Sequence, residues 1–382
     1  MTMTKHAYVQ AVANTAFGKQ PGRSAVDLML EAATQVLRTG GTAHDAIDGV
    51  LCGYATTFPH LMLASFMSEK LGLRPTYAHS MQMGGATGAG MIMLARLLVQ
   101  SGQCRNVLVV AGENRLTGQA VDTSIQTLAQ VGDAATELPN GASVPAYYAL
   151  LASQYMHRSG LQREDLAEFS VLMRSYATQH PDAHLTQPIT VEDVLASKPV
   201  ATPLHLLDCC PISDGAVAVL ISADEGPVRI AGAGQAHQHQ HLSALEDVYA
   251  TGAAAAFGRA LNEAGMQGGD FDYLGIYDSF TITLVMLLEE LGFAPRGESA
   301  RVLRSGAFNA DGALPLNTHG GLLSFGHSGV AGGMAHFVEA FRQLAGLAGE
   351  RQAGRRRSAL VHADGGVLSS HVSLILKSGE AA

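Results

Sequence analysis

Two imidazoles and six glycines share the stretch 317–334, NTHGGLLSFGHSGVAGGM, which runs straight into an apolar-periodic helix. Its histidines, His319 and His327, can donate hydrogen bonds or move protons near neutral pH. Its glycines allow positive φ and close approach of other groups, and a helix entered from such a loop points unpaired N–H groups into it. Three further segments carry polar groups at the ends of apolar strands or in tight turns: Tyr277-Asp-Ser-Phe280, His362-Ala-Asp-Gly-Gly366 and a second glycine-rich turn, Met81–Gly90. Ser80 and Thr87 are hydroxyls beside that turn, each also suited to capping or helix packing.

These groups need a scaffold, and the chain is long enough to supply a large one. It has 382 residues, 47% of them hydrophobic and only 15% charged, with 43 glycines and no tryptophan. Much of it must be buried, with close backbone packing taking the place of large aromatics. A net charge of −9 argues against nucleic acid as a partner. The one basic run, Arg355–Arg357, reads as a solvated loop, with a coenzyme A phosphate contact as the sharper alternative. Cys52, Cys104, Cys209 and Cys210 lack metal or disulfide spacing and fit a reducing cytoplasm. The segment Met1–His6 has no apolar leader core, and no apolar run approaches the ~18 residues of a membrane span. His237-Gln-His-Gln-His241 alternates imidazoles without an acidic or thiol ligand nearby, so it reads as a solvated edge rather than a metal site.

Strand–helix alternation repeats twice. In the first pass, Tyr8–Ala13 is a strand and Ser24 caps a helix over 25–38. Asp48–Tyr54 is a strand, 61–71 a helix, and the 81–90 turn feeds a helix over 91–100 and the fully apolar strand Asn106–Gly112. Residues 115–145 read as an excursion over the core, followed by helices at 144–159 and 164–180, the turn Asp208–Gly215 and the strand Ala216–Ser222. The second pass has strands at 228–232, 273–277, 358–362 and 371–376, with helices at 253–264, 281–291 and 334–344. Such alternation implies parallel sheet covered by helices. Two copies suggest an α/β/α/β/α sandwich of halves 1–225 and 226–382, with one site built jointly by residues near 80–90, 277, 319–327 and 362.

The segments Asp208-Cys-Cys-Pro-Ile-Ser-Asp-Gly-Ala216, Tyr277-Asp-Ser-Phe280, 317–329 and His362-Ala-Asp-Gly-Gly366 together resemble the thiolase superfamily. The similarity is to its sterol-carrier-protein-type branch and the lipid-transfer-protein-like relatives, and it spans essentially the whole chain. It implies a thiolase-like α/β/α/β/α five-layer sandwich, a coenzyme A thioester as substrate and no permanently bound cofactor. It also implies a homodimer, burying an edge strand such as Asn106–Gly112, and a small OB-fold/zinc-ribbon partner.

Carried over residue by residue, the resemblance makes Gly326-His327-Ser328 the counterpart of the thiolase Gly-His-Pro motif, whose histidine activates the nucleophile. Tyr277 takes the place of the Asn or His that supports an oxyanion site. His362 stands where the family has a second, acid/base cysteine. The nucleophilic cysteine aligns with Gly85, which cannot form an acyl-enzyme. Cys209 and Cys210 lie in a motif that is structural in the family and read as packed thiols.

Without a nucleophile, the chemistry left to such a site is enolate formation on a thioester, the step shared by aldol and retro-aldol reactions. His327 is then expected to donate to the thioester oxygen. Tyr277 is expected to take the β-hydroxyl proton, with His319 or His362 lowering its pKa. Gly85, Phe325, Gly326, Ser328 and Gly365 would line the substrate. Cysteine-less relatives that cleave steroid side chains use a tyrosine in a Tyr-Asp-x-Phe motif; some have a second near the Gly-His motif, where Phe325 stands here. Two alternatives remain at this level: acyl transfer with a replaced nucleophile, as in an acetyl-CoA acetyltransferase, and a non-catalytic acyl-CoA-binding or scaffold subunit.

Overall fold

The computed structural model describes residues 6–141 and 143–379. Most of the segment read as lacking a leader core, Met1–Lys5, lies outside them. In chain order the strands are β1 (Tyr8–Asn14), β2 (Gly49–Gly53), β3 (Tyr77–Met81), β4 (Asn106–Asn114), β5 (Pro199–Ala201), β6 (Leu204–His205), β7 (Asp214–Ser222), β8 (Val228–His237), β9 (Leu274–Ile276), β10 (Ser358–Gly365) and β11 (Ser370–Ser378). The helices are α1 (Ala25–Thr39), α2 (Leu63–Lys70), α3 (Thr87–Ser101), α4 (Val121–Ala129), α5 (Val144–Ser159), α6 (Arg163–Ala177), α7 (Val191–Ala196), α8 (Ala253–Ala264), α9 (Thr281–Glu290), α10 (Ser299–Arg304) and α11 (Val330–Ala345).

All strands except the β5–β6 hairpin join in the order β3-β2-β4-β7-β1-β8-β11-β10-β9. The two repeats meet at β1 and β8, where only Tyr8 and Val9 pair with Arg229 and Val228. The sheet is mixed rather than purely parallel. Pairing is parallel for β2–β3, β2–β4 and β9–β10, whose crossovers contain helices, but β7, β1, β8 and β11 pair antiparallel. Strand–helix alternation dictates only the first set.

Helices α3 and α11 touch each other and strands of both halves, so they form the middle layer. Helices α1 and α2 cover the outer face of the first half and α8 that of the second, which completes five layers. Ser24 caps α1 as its sequence implies: its Oγ accepts from the Asp27 amide at 3.1 Å, while its own amide donates to Asp27 Oδ2 at 2.8 Å. The helix then buries Leu28, Met29, Ala32 and Val36 against Val50, Leu108, Val110 and Leu220, each large side chain contributing about 1.5–3 kcal/mol.

Two readings of the first half need correction. The strand Asn106–Gly112 is not an edge: it lies between β2 and β7, every residue of β4 is buried, and it has no free side for a dimer contact. A fully apolar strand signals cover on both faces. The edge is β3, which falls almost wholly in the stretch between the 61–71 helix and the glycine-rich turn, where sequence reading finds no element because His79 and Ser80 are polar and exposed. Edge strands carry such polarity to discourage unwanted pairing.

Candidate active site

Tyr277 follows β9, and its amide donates to the carbonyl of His362 on neighbouring β10. His327 sits three residues before α11, held there by its amide donating to the Pro211 carbonyl at 3.1 Å and its carbonyl accepting from Ser213 at 3.1 Å. Gly326 has φ +125°, and a Cβ on it would lie against Ser213 Oγ and 3.2 Å from Ser213 Cβ, so only glycine fits. The loop and the strand thereby bring Tyr277 Oη to 2.9 Å from His327 Nε2.

The electrostatics of this pair follow from burial. His327 is pushed down to about 3, first by desolvation and then by the Arg115 guanidinium, so its imidazole is neutral. The Tyr277 phenol is held well above its ordinary value by burial and then by Asp364, Cys210 and Tyr54, with Arg115 opposing. The phenol is therefore protonated at rest, and its hydroxyl donates to Nε2 when the imidazole carries its proton on Nδ1.

Gly85 lies directly against the phenol. A Cβ there would overlap Tyr277 Oη and the Asp364 carbonyl and would sit 2.6 Å from Tyr277 Cζ. A side chain at position 85 and the tyrosine at 277 thus compete for one space. The neighbouring hydroxyls are already engaged. Thr87 Oγ1 accepts from the Met83 amide at 2.8 Å and donates to the Gly84 carbonyl at 2.6 Å. Ser80 Oγ accepts from the Ala64 amide at 3.1 Å. Burial raises the Cys209 thiol to about 12 and the Cys210 thiol well above its ordinary value, so neither is poised as a thiolate.

The two other histidines stand apart from the phenol. His362 uses Nδ1 on Ser373 Oγ at 2.8 Å and Nε2 on His371 Nδ1 at 3.1 Å, both within the β10–β11 pair. His319 packs edge-on against Phe325 and His336, and both its ring nitrogens lack a partner among the described residues. Neither lowers the Tyr277 pKa; the group that does so is Arg115. His327 likewise faces the phenol, rather than being free to donate to a thioester oxygen at rest.

Phe325 points inward, with its ring 4.6 Å from Phe17 and 4.9 Å from His180, so it packs the core beneath the loop. Ser328 is buried, its Oγ without a partner among the described residues. Gly365 brings its turn against the Met83 carbonyl and the Ala86 amide, closing the 83–86 turn onto β10. The basic run is remote from this site. Arg355 and Arg356 line a groove of about 880 Å³ beside the C-terminal end of α11, and that helix, at 16 residues, spans ~24 Å from its His327 end.

Three groups in and around the site were not singled out in sequence. Arg115, in the 115–145 excursion, is buried, and its charge reaches both members of the dyad. It pairs at 3.4 Å with Glu113, whose carboxylate also accepts from the amides and hydroxyls of Thr56 and Thr57. Asp278 accepts from His336 Nε2 at 2.9 Å and from the Leu322 amide at 2.7 Å, which fixes the turn before Gly326. Tyr148, on α5, hydrogen-bonds Asp364. The Tyr-Asp-x-Phe motif was the available signal for Asp278; nothing local marked Arg115 or Tyr148.

Known proteins share this arrangement of chain. Residues 7–225 match the model of the thiolase N-terminal domain and 234–378 that of the thiolase C-terminal domain-like family. An acetyl-CoA acetyltransferase of Methanothermobacter thermautotrophicus is 31% identical over 369 residues, covering 94% of this chain and 96% of the relative. A steroid side-chain-cleaving aldolase of Thermomonospora curvata is 30% identical over 387 residues, covering 96% and 97%. The solved Ltp2–ChsH2(DUF35) aldolase superposes with a TM-score of 0.85 at 28% identity, covering 99% of both chains.

Proposed function

The chain belongs to the thiolase family, and from that membership we propose that it is an enzyme that breaks or makes a carbon–carbon bond in an acyl-CoA thioester by aldol chemistry, without an acyl-cysteine intermediate. The observation that carries this reading is the Tyr277 hydroxyl, which fills the space of a side chain at Gly85 while hydrogen-bonding His327 at 2.9 Å. The similarity to a steroid side-chain-cleaving aldolase and to the Ltp2–ChsH2(DUF35) aldolase supports the same reaction class.

In the cleavage direction, the β-hydroxyl gives its proton to Tyr277 Oη as Tyr277 passes its own proton to His327 Nε2. No free phenolate forms, which suits a phenol whose pKa burial has raised. The Cα–Cβ bond breaks, a carbonyl compound leaves, and the electron pair remains on the thioester as an enolate. The imidazolium just formed places positive charge near that enolate, in a site from which bulk water is largely excluded. Coenzyme A enters as part of the substrate, and the chemistry needs no resident cofactor.

Acyl transfer has one observation in its favour, the likeness to an acetyl-CoA acetyltransferase. It would require a nucleophile other than residue 85, and the hydroxyls and thiols nearest the turn are capped, packed or fully protonated. The aldol reading is therefore preferred to transfer and to a scaffold role.

The wider setting follows the same reading. A small OB-fold/zinc-ribbon subunit is the expected partner, and the name of the Ltp2–ChsH2(DUF35) aldolase supports a partner subunit of the DUF35 type. A homodimer would form through exposed β3 rather than β4. The halves 1–225 and 226–382 act as two units sharing one site. The protein works in the cytoplasm; among the described residues no helix is long and apolar enough to cross a membrane.

The test is steady-state cleavage of β-hydroxyacyl-CoA thioesters by the wild type, Tyr277→Phe and His327→Ala. Both substitutions should lower turnover by about 10²–10⁴-fold. Unchanged turnover in both would defeat the assignment.

A further inference from the structure

Retro-aldol cleavage leaves an enolate that must regain a proton at its α-carbon, whereas the Tyr277–His327 pair takes its proton from the β-hydroxyl at the other end of the broken bond. A second pair of proton-bearing groups is anchored on the 364–366 segment that packs against the 83–86 turn. Tyr148 Oη is 2.9 Å from Asp364 Oδ2 and 3.3 Å from the Gly366 carbonyl. Its single hydrogen thus has two acceptors to choose between. The ring is held in place by stacking on Phe280, with centroids 4.4 Å apart.

Asp364 is an unusual carboxyl. It is 1% exposed, no cation pairs with it among the described residues, and its Oδ1 has no hydrogen-bond partner there. Its near neighbours on the strand do not neutralise it, because His362 is turned to Ser373 and His371. Burial holds its pKa well above the carboxylate range, against the opposing pull of Tyr148 and of the Gly365 and Leu368 amides. A buried carboxyl of this kind stays protonated and can serve as a hydrogen donor. Asp364 borders the reacting centre through its backbone, whose carbonyl and Tyr277 Oη crowd the same point above Gly85, and the charges of Asp364 and Tyr148 are near enough to couple with the Tyr277 phenol.

We propose that Tyr148 and Asp364 form the acid that protonates the α-carbon of the thioester enolate, Tyr148 delivering the proton and Asp364 replacing it. This rests on the aldol reading of the site. The Tyr148 O–H bond breaks as the α-C–H bond forms from the enolate electron pair. The Asp364 carboxyl proton passes to Tyr148, a solvent proton restores Asp364, and the proton that His327 took from the β-hydroxyl returns to solvent. In the synthetic direction the same pair removes the α-proton.

The test is wash-in of deuterium from D2O at the α-carbon of propionyl-CoA, read by mass spectrometry beside cleavage of a β-hydroxyacyl-CoA. The full chain is compared with Tyr148→Phe and Asp364→Asn. Each substitution should slow exchange by about 10²-fold, and by at least tenfold more than it slows cleavage. Thermal unfolding is followed in parallel, and either variant decides alone if the other fails to fold. Equal losses in exchange and cleavage would show that the pair merely pins the 364–366 turn to α5, which overturns the proposal. Unimpaired exchange in a folded variant overturns it too. If the wild type shows neither exchange nor cleavage, the aldol reading itself falls, which is a different result from loss of the pair alone.

Discussion

The phenol of Tyr277 occupies the volume that a side chain on Gly85 would need, with a Cβ there falling 2.6 Å from Tyr277 Cζ. The two positions are alternatives: a nucleophile at 85 or a hydroxyl from 277. Gly85→Cys should therefore not convert the protein into a thiolase. It should destabilise it by about 1–3 kcal/mol through overpacking and reduce cleavage. In a Tyr277→Ala background the same substitution should cost less. Chemical denaturation of the single and double variants measures the coupling, and strict additivity would show that the two side chains do not compete.

Arg115 is the cation that acts on both ends of the dyad's proton transfer, opposing burial at Tyr277 by lowering its pKa and adding to burial at His327 by helping to keep the imidazole neutral. Arg115→Gln should raise the Tyr277 pKa further and lower kcat more than it raises KM. Arg115→Lys should recover part of the loss by restoring the charge without the guanidinium fork. Removing the charge also leaves buried Glu113 unpaired, a loss of up to about 3–5 kcal/mol, though the hydroxyls and amides of Thr56 and Thr57 soften it. Equal activity of the Gln and Lys variants would remove Arg115 from the mechanism.

These two relationships show what could be read from the chain. The glycine-rich loop, Tyr277 and the missing cysteine were legible because each lies in a short motif with its own chemistry. So was the helix Val144–Ser159, but not the partner of the tyrosine on its buried face. Tyr148 meets Asp364 across 216 positions, and helical periodicity identifies an apolar face without naming what it meets. Arg115 escaped for the same reason: its charge matters only because the fold buries it against the 326–329 loop. The edge strand β3 was missed because hydrophobic pattern finds strands by what they bury, and this one is half exposed.

Acid should unfold the protein through its histidines. His327 is depressed to about 3, His180 and His371 to about 4, and His319 and His362 well below their ordinary value, in each case chiefly by burial. Each favours the neutral form when folded, so the unfolded chain binds more protons below its own pKa of about 6.5. The stability these sites contribute is complete above pH ~6.5 and is lost as pH falls from there toward ~4. Equilibrium unfolding between pH 8 and pH 4 checks the sign. Stability that rises on acidification through this range would contradict the buried neutral state of these imidazoles.

Carbon–carbon bond chemistry without an acyl-enzyme is tested most directly by the intact mass of the protein during turnover. The protein is incubated with a panel of acyl-CoA and β-hydroxyacyl-CoA thioesters, with its intact mass and the released small molecules followed together. Aldol chemistry at Tyr277 and His327 predicts a carbonyl compound and a shorter acyl-CoA, with no mass added to the protein. A mass increment equal to the acyl group would contradict it, showing that the chain has a nucleophile and that acyl transfer is its reaction.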